Sequence, residues 1–404
     1  MSRKYMSTKI ACYTGYFVQA IINNLAPLFY VVFQNEFDIN YTKISWLIML
    51  NFITQLFVDI ASVKVIAKLG YRTSIVLAHV FSSVGLCLLG VLPRAMENHY
   101  IGLVIPIIIY ATGSGLIEVL VSPIVEGLPL DNKSGEMSFL HSFYCWGQMS
   151  VVLLTTVAIK FVGTENWVYA PMLWAIIPLV NMFAFMRVPI FPPVPEGEDE
   201  MKVSELFRNG TFILLTVMML CSGASELAMA QWASTFAEKS LGVDKLTGDL
   251  LGPCLFAFLM ASGRVVFGIV GDKIDIKKVL AFSAVLCVVA YLISTLSKAP
   301  VASLVGCGLC GLSVATMWPG VFSFASKFFP RGGTPLFAML AVFGDFGCAF
   351  GPWLAGVVSD SVRESSMNFD PLKFGLMISV VFPITMIIAI MALSKKEHKK
   401  TVEA

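Results

Sequence analysis

Three carboxylic acids lie inside long apolar runs of this chain: Glu118 in GSGLIEVLVSP, Glu226 in CSGASELAMAQWAS and Asp345 in AVFGDFGCAFGP. A charge at the middle of a membrane-spanning helix costs roughly 2.5–3.5 kcal/mol on insertion scales, so it is kept where it faces a cavity or a partner. Glu118 falls about six or seven residues from the nearer end of its run, about 10 Å deep at the rise of a helix. A carboxylate there can accept paired hydrogen bonds from sugar hydroxyls, or bind and release a proton. The bland alternative is a structural carboxylate held by a neighbour. Glu226 falls near the middle of its run, and Met229, Ala230 and Ala233 share its helical face. Small side chains there leave room for a ligand or suit close helix packing. Asp345 is flanked by Gly344 and Gly347, and a coupling acid or a packed structural acid explains it equally well.

Other polar and aromatic residues accompany these acids. Gln231 and Trp232 follow Glu226 by about one turn. An amide and an indole suit a sugar, through hydrogen bonds and stacking, while an interfacial aromatic is the competing account of Trp232. His141 opens a run beside Ser142 and Tyr144, with Trp146 and Gln148 further in. Histidine titrates near physiological pH and can relay protons, or it can simply end a helix. Gln55 and Asp59 share a helical face with Lys64 near by, as a structural or gating group. Cys307 and Cys310 form a CxxC inside an apolar glycine-rich run, where small-residue packing is a better reading than metal or redox chemistry.

These residues must be positioned by membrane helices. Of 404 residues, 57% are hydrophobic and 13% charged, with mean hydropathy +0.80. A soluble domain carries about 25% charged residues. The net charge of +2 gives no reason to expect nucleic acid as a partner. Apolar runs long enough to cross a bilayer predict an all-α membrane protein of twelve spans: 10–33, 43–66, 73–93, 101–125, 137–162, 167–188, 210–237, 248–270, 277–296, 300–328, 334–358 and 373–394. The first is too long for a signal-peptide core and is read as a retained span. A polar stretch at 189–208 containing PPVPEGEDEMK divides the chain into a six-helix bundle over 1–188 and a second over 209–404. With the N-terminus in the cytoplasm, eight of the 28 lysines and arginines fall outside: Lys43, Arg94, Lys160, Lys239, Lys245, Lys298, Arg363 and Lys373. The remaining 20 fall inside, which predicts both termini to be cytoplasmic.

The halves resemble each other. VKVIAKLGYRTSIVLA (63–78) follows the second span, and VFGIVGDKIDIKKVLA (266–281) follows the eighth. Repeated halves are the mark of transporters that alternate access around a central site. In this setting the chain resembles the major facilitator superfamily, whose signature between spans two and three is a glycine, an Asp–Arg pair, another glycine and further basics. Gly268, Asp272, Lys273, Lys277 and Lys278 resemble it well in the second half, and the resemblance makes Gly268, Asp272, Lys273 and Arg264 gating candidates. In the first half Lys68, Gly70 and Arg72 remain, and Ala67 stands where the aspartate would be.

A narrower resemblance is to the fucose permease branch of proton-coupled sugar symporters. It is carried by Asn23-Asn24-Leu25, by GSGLIEVLVSP, and by Ser313 through Ser359 with WPGVFSFA and GPWLAGVVSD. It implies that Asn23, Asn24 and Glu118 face the cavity. The usual pseudo-symmetry would place Trp318 and the break at Pro319 opposite Asn24. That branch has an acid where this chain has Pro27, which removes a proton role from span one.

The sequence therefore predicts a secondary active transporter, a monomer in a cell inner or plasma membrane, for proton-coupled uptake of a sugar or similar small polar solute. Sodium in place of the proton is an open alternative. The expected substrate ligands are Asn23, Asn24, Glu118, His141, Trp146, Gln148, Glu226, Gln231, Trp232 and Trp318, with Glu118, Glu226 and Asp345 carrying the proton. No cofactor or metal is expected. There is no Walker loop, HExxH or Gly-x-Ser-x-Gly to suggest an enzyme. A drug or metabolite efflux antiporter is the alternative, disfavoured because WGQMSVVLLTTV in span five lacks the Gly-Pro such proteins often carry there.

Overall fold

A computed structural model describes residues 5–126, 128, 133–190, 201–270, 275–329, 332–365 and 368–403. Among them the regular structure is helical throughout. Twelve helices are long and apolar enough to cross a membrane: Met6–Phe37, Tyr41–Ser62, Lys68–Ala95, His99–Val121, Leu140–Val162, Tyr169–Arg187, Gly210–Ser240, Lys245–Phe267, Ile276–Leu296, Pro300–Phe322, Met339–Glu364 and Pro371–Ser394. They are numbered span one to span twelve, and each corresponds to one predicted run. The reason is physical: in lipid a segment must satisfy its own backbone, so about 20 apolar residues fold as a helix with little choice. Large apolar side chains such as Phe57, Phe161 and Phe282 stay on the outer surface, where lipid accepts them.

The chain divides into two compact units, Met1–Glu196 with Lys245–Leu250, and Gly197–Asp244 with Leu251–Ala404. In unit one, spans two and three run on from each other through Gly70, whose φ of 76° and ψ of 164° fall in a region open essentially to glycine alone. This is the signature glycine of the first half. Next to it Arg72 reaches span six, its guanidinium donating to the carbonyls of Phe185 at 2.8 Å and Val188 at 2.9 Å. Those carbonyls belong to the end of a helix, where a cation satisfies orphan acceptors and complements the dipole. Thr8 adds a bond to the carbonyl of Pro189. The short segment Lys245–Leu250 is tied into unit one by Lys245, which donates to the carbonyl of Leu28 at 2.7 Å, and by Thr156, which donates to Asp249 at 2.7 Å.

Two spans are interrupted where the sequence placed polar residues. Span one is α-helical over Met6–Leu25, tightens to a 3-10 turn over Ala26–Phe29 and resumes at Tyr30. Pro27 has no N–H for the carbonyl of Asn23, four residues back, and this is the cause of the break. In span ten the helix Pro300–Val314 ends and Met317–Phe328 begins, and Pro319, in the first turn of the second helix, has no N–H for the carbonyl of Ala315. Residues 191–200 of the linker predicted at 189–208 lie outside the described residues, as do Asp272 and Lys273.

Candidate functional site

Unit one holds a polar ladder across spans one, two and four. Asn23 and Gln19 are one helical turn apart, as are Ser114 and Glu118, so each pair shares a face. At the upper rung the Asn23 side-chain oxygen accepts from Asn51 at 3.1 Å and from Gln55 at 3.0 Å. Ser114 donates to the Gln55 oxygen at 2.9 Å. At the lower rung Gln19 donates to Glu118 at 2.6 Å. Glycines let the backbones come this close. A methyl at Gly113 would overlap Ser82 and Ala78 of span three; at Gly115 it would press on Asp59 and Gln55 of span two at 3.1 Å; at Gly15 it would meet Val121 of span four at 3.0 Å. The Gly-x-Gly-x-x-Glu segment thus seats span four against two neighbours and turns Glu118 toward span one. Asn23, Asn51 and Gln55 are buried, while Glu118 is partly open.

The other predicted ligands of unit one divide. Asn24 is buried, donating to the carbonyl of Ala20 at 2.9 Å and lying 3.5 Å from the Tyr144 hydroxyl. This brings span five to the ladder through Tyr144, whose role the sequence did not single out. His141 is exposed, its ring 4.9 Å from that of Tyr16. Trp146 is 41% exposed and Gln148 is 3% exposed. Residues two apart lie on nearly opposite faces of a helix, so these two cannot share one binding surface.

Unit two is organised around spans seven and eleven. A methyl at Gly223 would overlap the backbone of Gly344; at Gly347, the carbonyl of Leu220; at Gly351, the carbonyl of Ala224. Gly223, Gly347 and Gly351 therefore permit near backbone contact along two helices. Glu226 projects from this rigid pair and meets Arg264 of span eight, with NH2 to Oε2 at 3.4 Å. Arg264, expected as a gating residue, is thus placed beside a deep acid of span seven, a pairing across spans that has no local sequence signal. Gly268 lies in the helix Leu255–Val270.

The face of Glu226 is used for packing. Met229 and Ala233 are fully buried, and Met229 receives the Cys307 thiol at 3.3 Å. Cys307 is thus a packing residue beside Gly306 and Gly308. Trp232 is also fully enclosed, and its indole donates to the carbonyl of Pro352 at 2.9 Å. The ring expected to stack on a ligand here joins spans seven and eleven. Gln231 is buried as well. Trp318 is partly open, edge-on to Phe322 and laid against Gly344, where a methyl would overlap its ring. Asp345 is buried one residue on.

Comparison with known proteins places this geometry. The model of the Major Facilitator Superfamily matches residues 12–352 and 254–402. Membrane protein MosC of Rhizobium meliloti is 22% identical over 256 residues, spanning 63% of this chain and 61% of that one. Among solved structures, the fucose:proton symporter FucP of E. coli is similar with a TM-score of 0.66 at 17% identity, covering 96% of this chain and 99% of that one. A D-xylose-proton symporter gives a TM-score of 0.77 at 14% identity, covering 96% and 97%. The nucleoside transporter NupG gives 0.72 at 14% identity, covering 98% and 100%. At such identities the structures attest the fold, while the match of the superfamily model over nearly the whole length carries the affiliation: this chain, with its twelve spans and its acids held inside helical bundles, belongs to the Major Facilitator Superfamily.

Proposed function

We propose that this transporter works by alternating access and couples entry of a proton to uptake of a sugar or similar small polar solute. The observation that carries the reading is Glu118, a partly open carboxylate held by Gln19 within a ladder of amides. Amides and a carboxylate together offer the donors and acceptors that hydroxyls require. Asn24 and Tyr144 extend that surface in unit one, and Trp318 offers an open ring in unit two. Glu226 and Asp345 supply further acids. The similarity to two sugar–proton symporters points the same way. The preponderance of lysine and arginine on one set of loops supports an orientation with both termini in the cytoplasm of a cell inner or plasma membrane. A monomer suffices for this chemistry.

Uptake into proteoliposomes tests the reading. Labelled fucose, xylose and glucose are offered with and without an inward proton gradient. Accumulation should need the gradient, and collapsing it with an uncoupler should reduce uptake to equilibration. Glu118→Gln should abolish accumulation while leaving counterflow exchange measurable. Accumulation indifferent to the pH gradient but dependent on sodium would replace the proton by sodium; extrusion of the solute would turn symport into antiport.

A further inference from the structure

The ladder of unit one contains an amide that is bonded at one end only. We propose that Gln19 is the positioning residue of Glu118, and that it holds the acid in both protonation states by turning its amide end for end. The inference rests on the functional reading above and deepens it, by giving the proton-carrying acid a partner in span one.

The geometry of the lower rung motivates it. Gln19 is 4% exposed, and its Nε2 donates to Glu118 Oε2 at 2.6 Å. Hydrogen bonds from nitrogen are usually about 2.9–3.0 Å and shorten when a partner is charged, so the contact is that of a donor on an ionised acid. Among the described residues Glu118 has no ion pair, and Gln19 is its hydrogen-bond partner. The amide of Gln55 gives the contrast. Its Nε2 donates to Asn23 at 3.0 Å and its Oε1 accepts from Ser114 at 2.9 Å, so a turn would break both bonds. The Nε2 of Gln19 is engaged, while its Oε1 has no partner among the described residues. The backbones beneath are fixed. Gly15, one turn from Gln19, lies against span four, where a methyl would sit 3.0 Å from Val121 and 3.6 Å from Ile117. What can move is the last torsion of the glutamine, which is broad and roughly two-fold. Half a rotation presents an acceptor where the donor was.

The proton step then balances without a second charge. With Glu118 ionised, Gln19 supplies N–H to the carboxylate. When Glu118 takes a proton from water on its open side, an O–H bond forms on the acid, and no other covalent bond is made in the protein. That O–H donates to the turned Oε1. A lysine in place of Gln19 can serve only the ionised acid, and a leucine serves neither form, which leaves a poorly solvated charge without support. The neighbouring spans bring other titratable groups to this region. Asp59 of span two lies beside Gly115. Tyr16 of span one has its ring 4.9 Å from that of His141 of span five, and Tyr13 stacks on Phe143. Tyr144 of span five lies 3.5 Å from Asn24. His79 of span three is taken up by the Ile75 carbonyl and the Asn181 side chain, each at 2.8 Å.

The test measures initial rates of gradient-driven uptake of fucose, xylose and glucose by the full-length protein in proteoliposomes, over a series of pH values. Gln19→Leu keeps the bulk and loses both ends of the amide. It should move the pH of half-maximal rate upward by about one unit, because the bond lost to the ionised acid is stronger than the bond lost to the neutral one. Gln19→Lys, a donor that cannot accept, should hold Glu118 ionised, so that accumulation stops while counterflow exchange persists. A merely structural glutamine would lower rates and melting temperature together and leave the pH midpoint in place. If Gln19→Leu does not fold, Gln19→Lys decides, since exchange without accumulation requires a folded protein. An unmoved midpoint in Gln19→Leu, accumulation surviving in Gln19→Lys, or exchange lost along with it would overturn the role of Gln19 and leave proton symport in place. Uptake by the parent that is absent or ignores pH would refute the functional reading itself.

Discussion

Among the described residues, two arginine–glutamate pairs are built differently. In unit one, Arg94 grips Glu36 through Nε at 2.6 Å and NH2 at 3.1 Å, while NH2 also donates to the carbonyl of Glu165 at 2.8 Å. The Trp167 indole donates to the same carboxylate at 2.9 Å, and the guanidinium lies 5.7 Å from that ring. In unit two, Arg264 meets Glu226 at 3.4 Å. The first pair lies at the ends of spans one and three with side chains 41% and 28% exposed; the second is deeper, at 24% and 10%. The first pair is thus easily solvated and shares its carboxylate with an indole near the span ends, and the second lies deeper in its unit, where a charge depends more on its partner.

The sharpest way to break this contrast is to remove one acid from each pair. Glu226→Ala leaves a deep guanidinium without its counter-charge, a loss of about 3 kcal/mol for a buried pair, or roughly 100-fold if it falls on the transport step. Initial rates of gradient-driven uptake in proteoliposomes should fall by that order. Equal rates in variant and parent would mean that Glu226 is merely packed. A smaller effect is expected from Gly344→Ala. The added methyl overlaps the Trp318 ring, and overpacking a close contact costs about 1–3 kcal/mol. The melting temperature should drop, and Trp318→Phe in the same background should restore part of it.

The spans and their number were legible because lipid leaves an apolar segment of about 20 residues little choice but a helix. Glu118, Glu226 and Asp345 were legible for the same reason, each being an expensive exception in an apolar run. Partners were harder to find. Gln19 could have been found, since it lies one turn from Asn23 on the same face. Arg264 was visible as a residue, but its contact with Glu226 was not, because what it touches depends on how span eight packs against span seven. The partner of Trp232 was hidden in a related way. An indole has one apolar body and one donor, and either a sugar or a neighbouring carbonyl can use them; the glycines that bring span eleven within reach decided for Pro352.

The pair in unit one should yield the smallest effect, and the way it is small is informative. Arg94→Gln removes the fork, yet Glu36 keeps the Trp167 indole and access to water. Pairs this exposed contribute about 0.2–1 kcal/mol. The fall in melting temperature should therefore be slight, and the concentration dependence of solute uptake should not change. A double-mutant cycle with Glu36→Gln isolates the pair from its surroundings. If the two changes together cost no more than either alone, each acts by breaking the same contact. If instead Arg94→Gln lowers solute affinity as strongly as a change at Arg264, the clamp at the bundle end is part of the transport cycle, and the distinction between an exposed staple in unit one and a deep pair in unit two is lost.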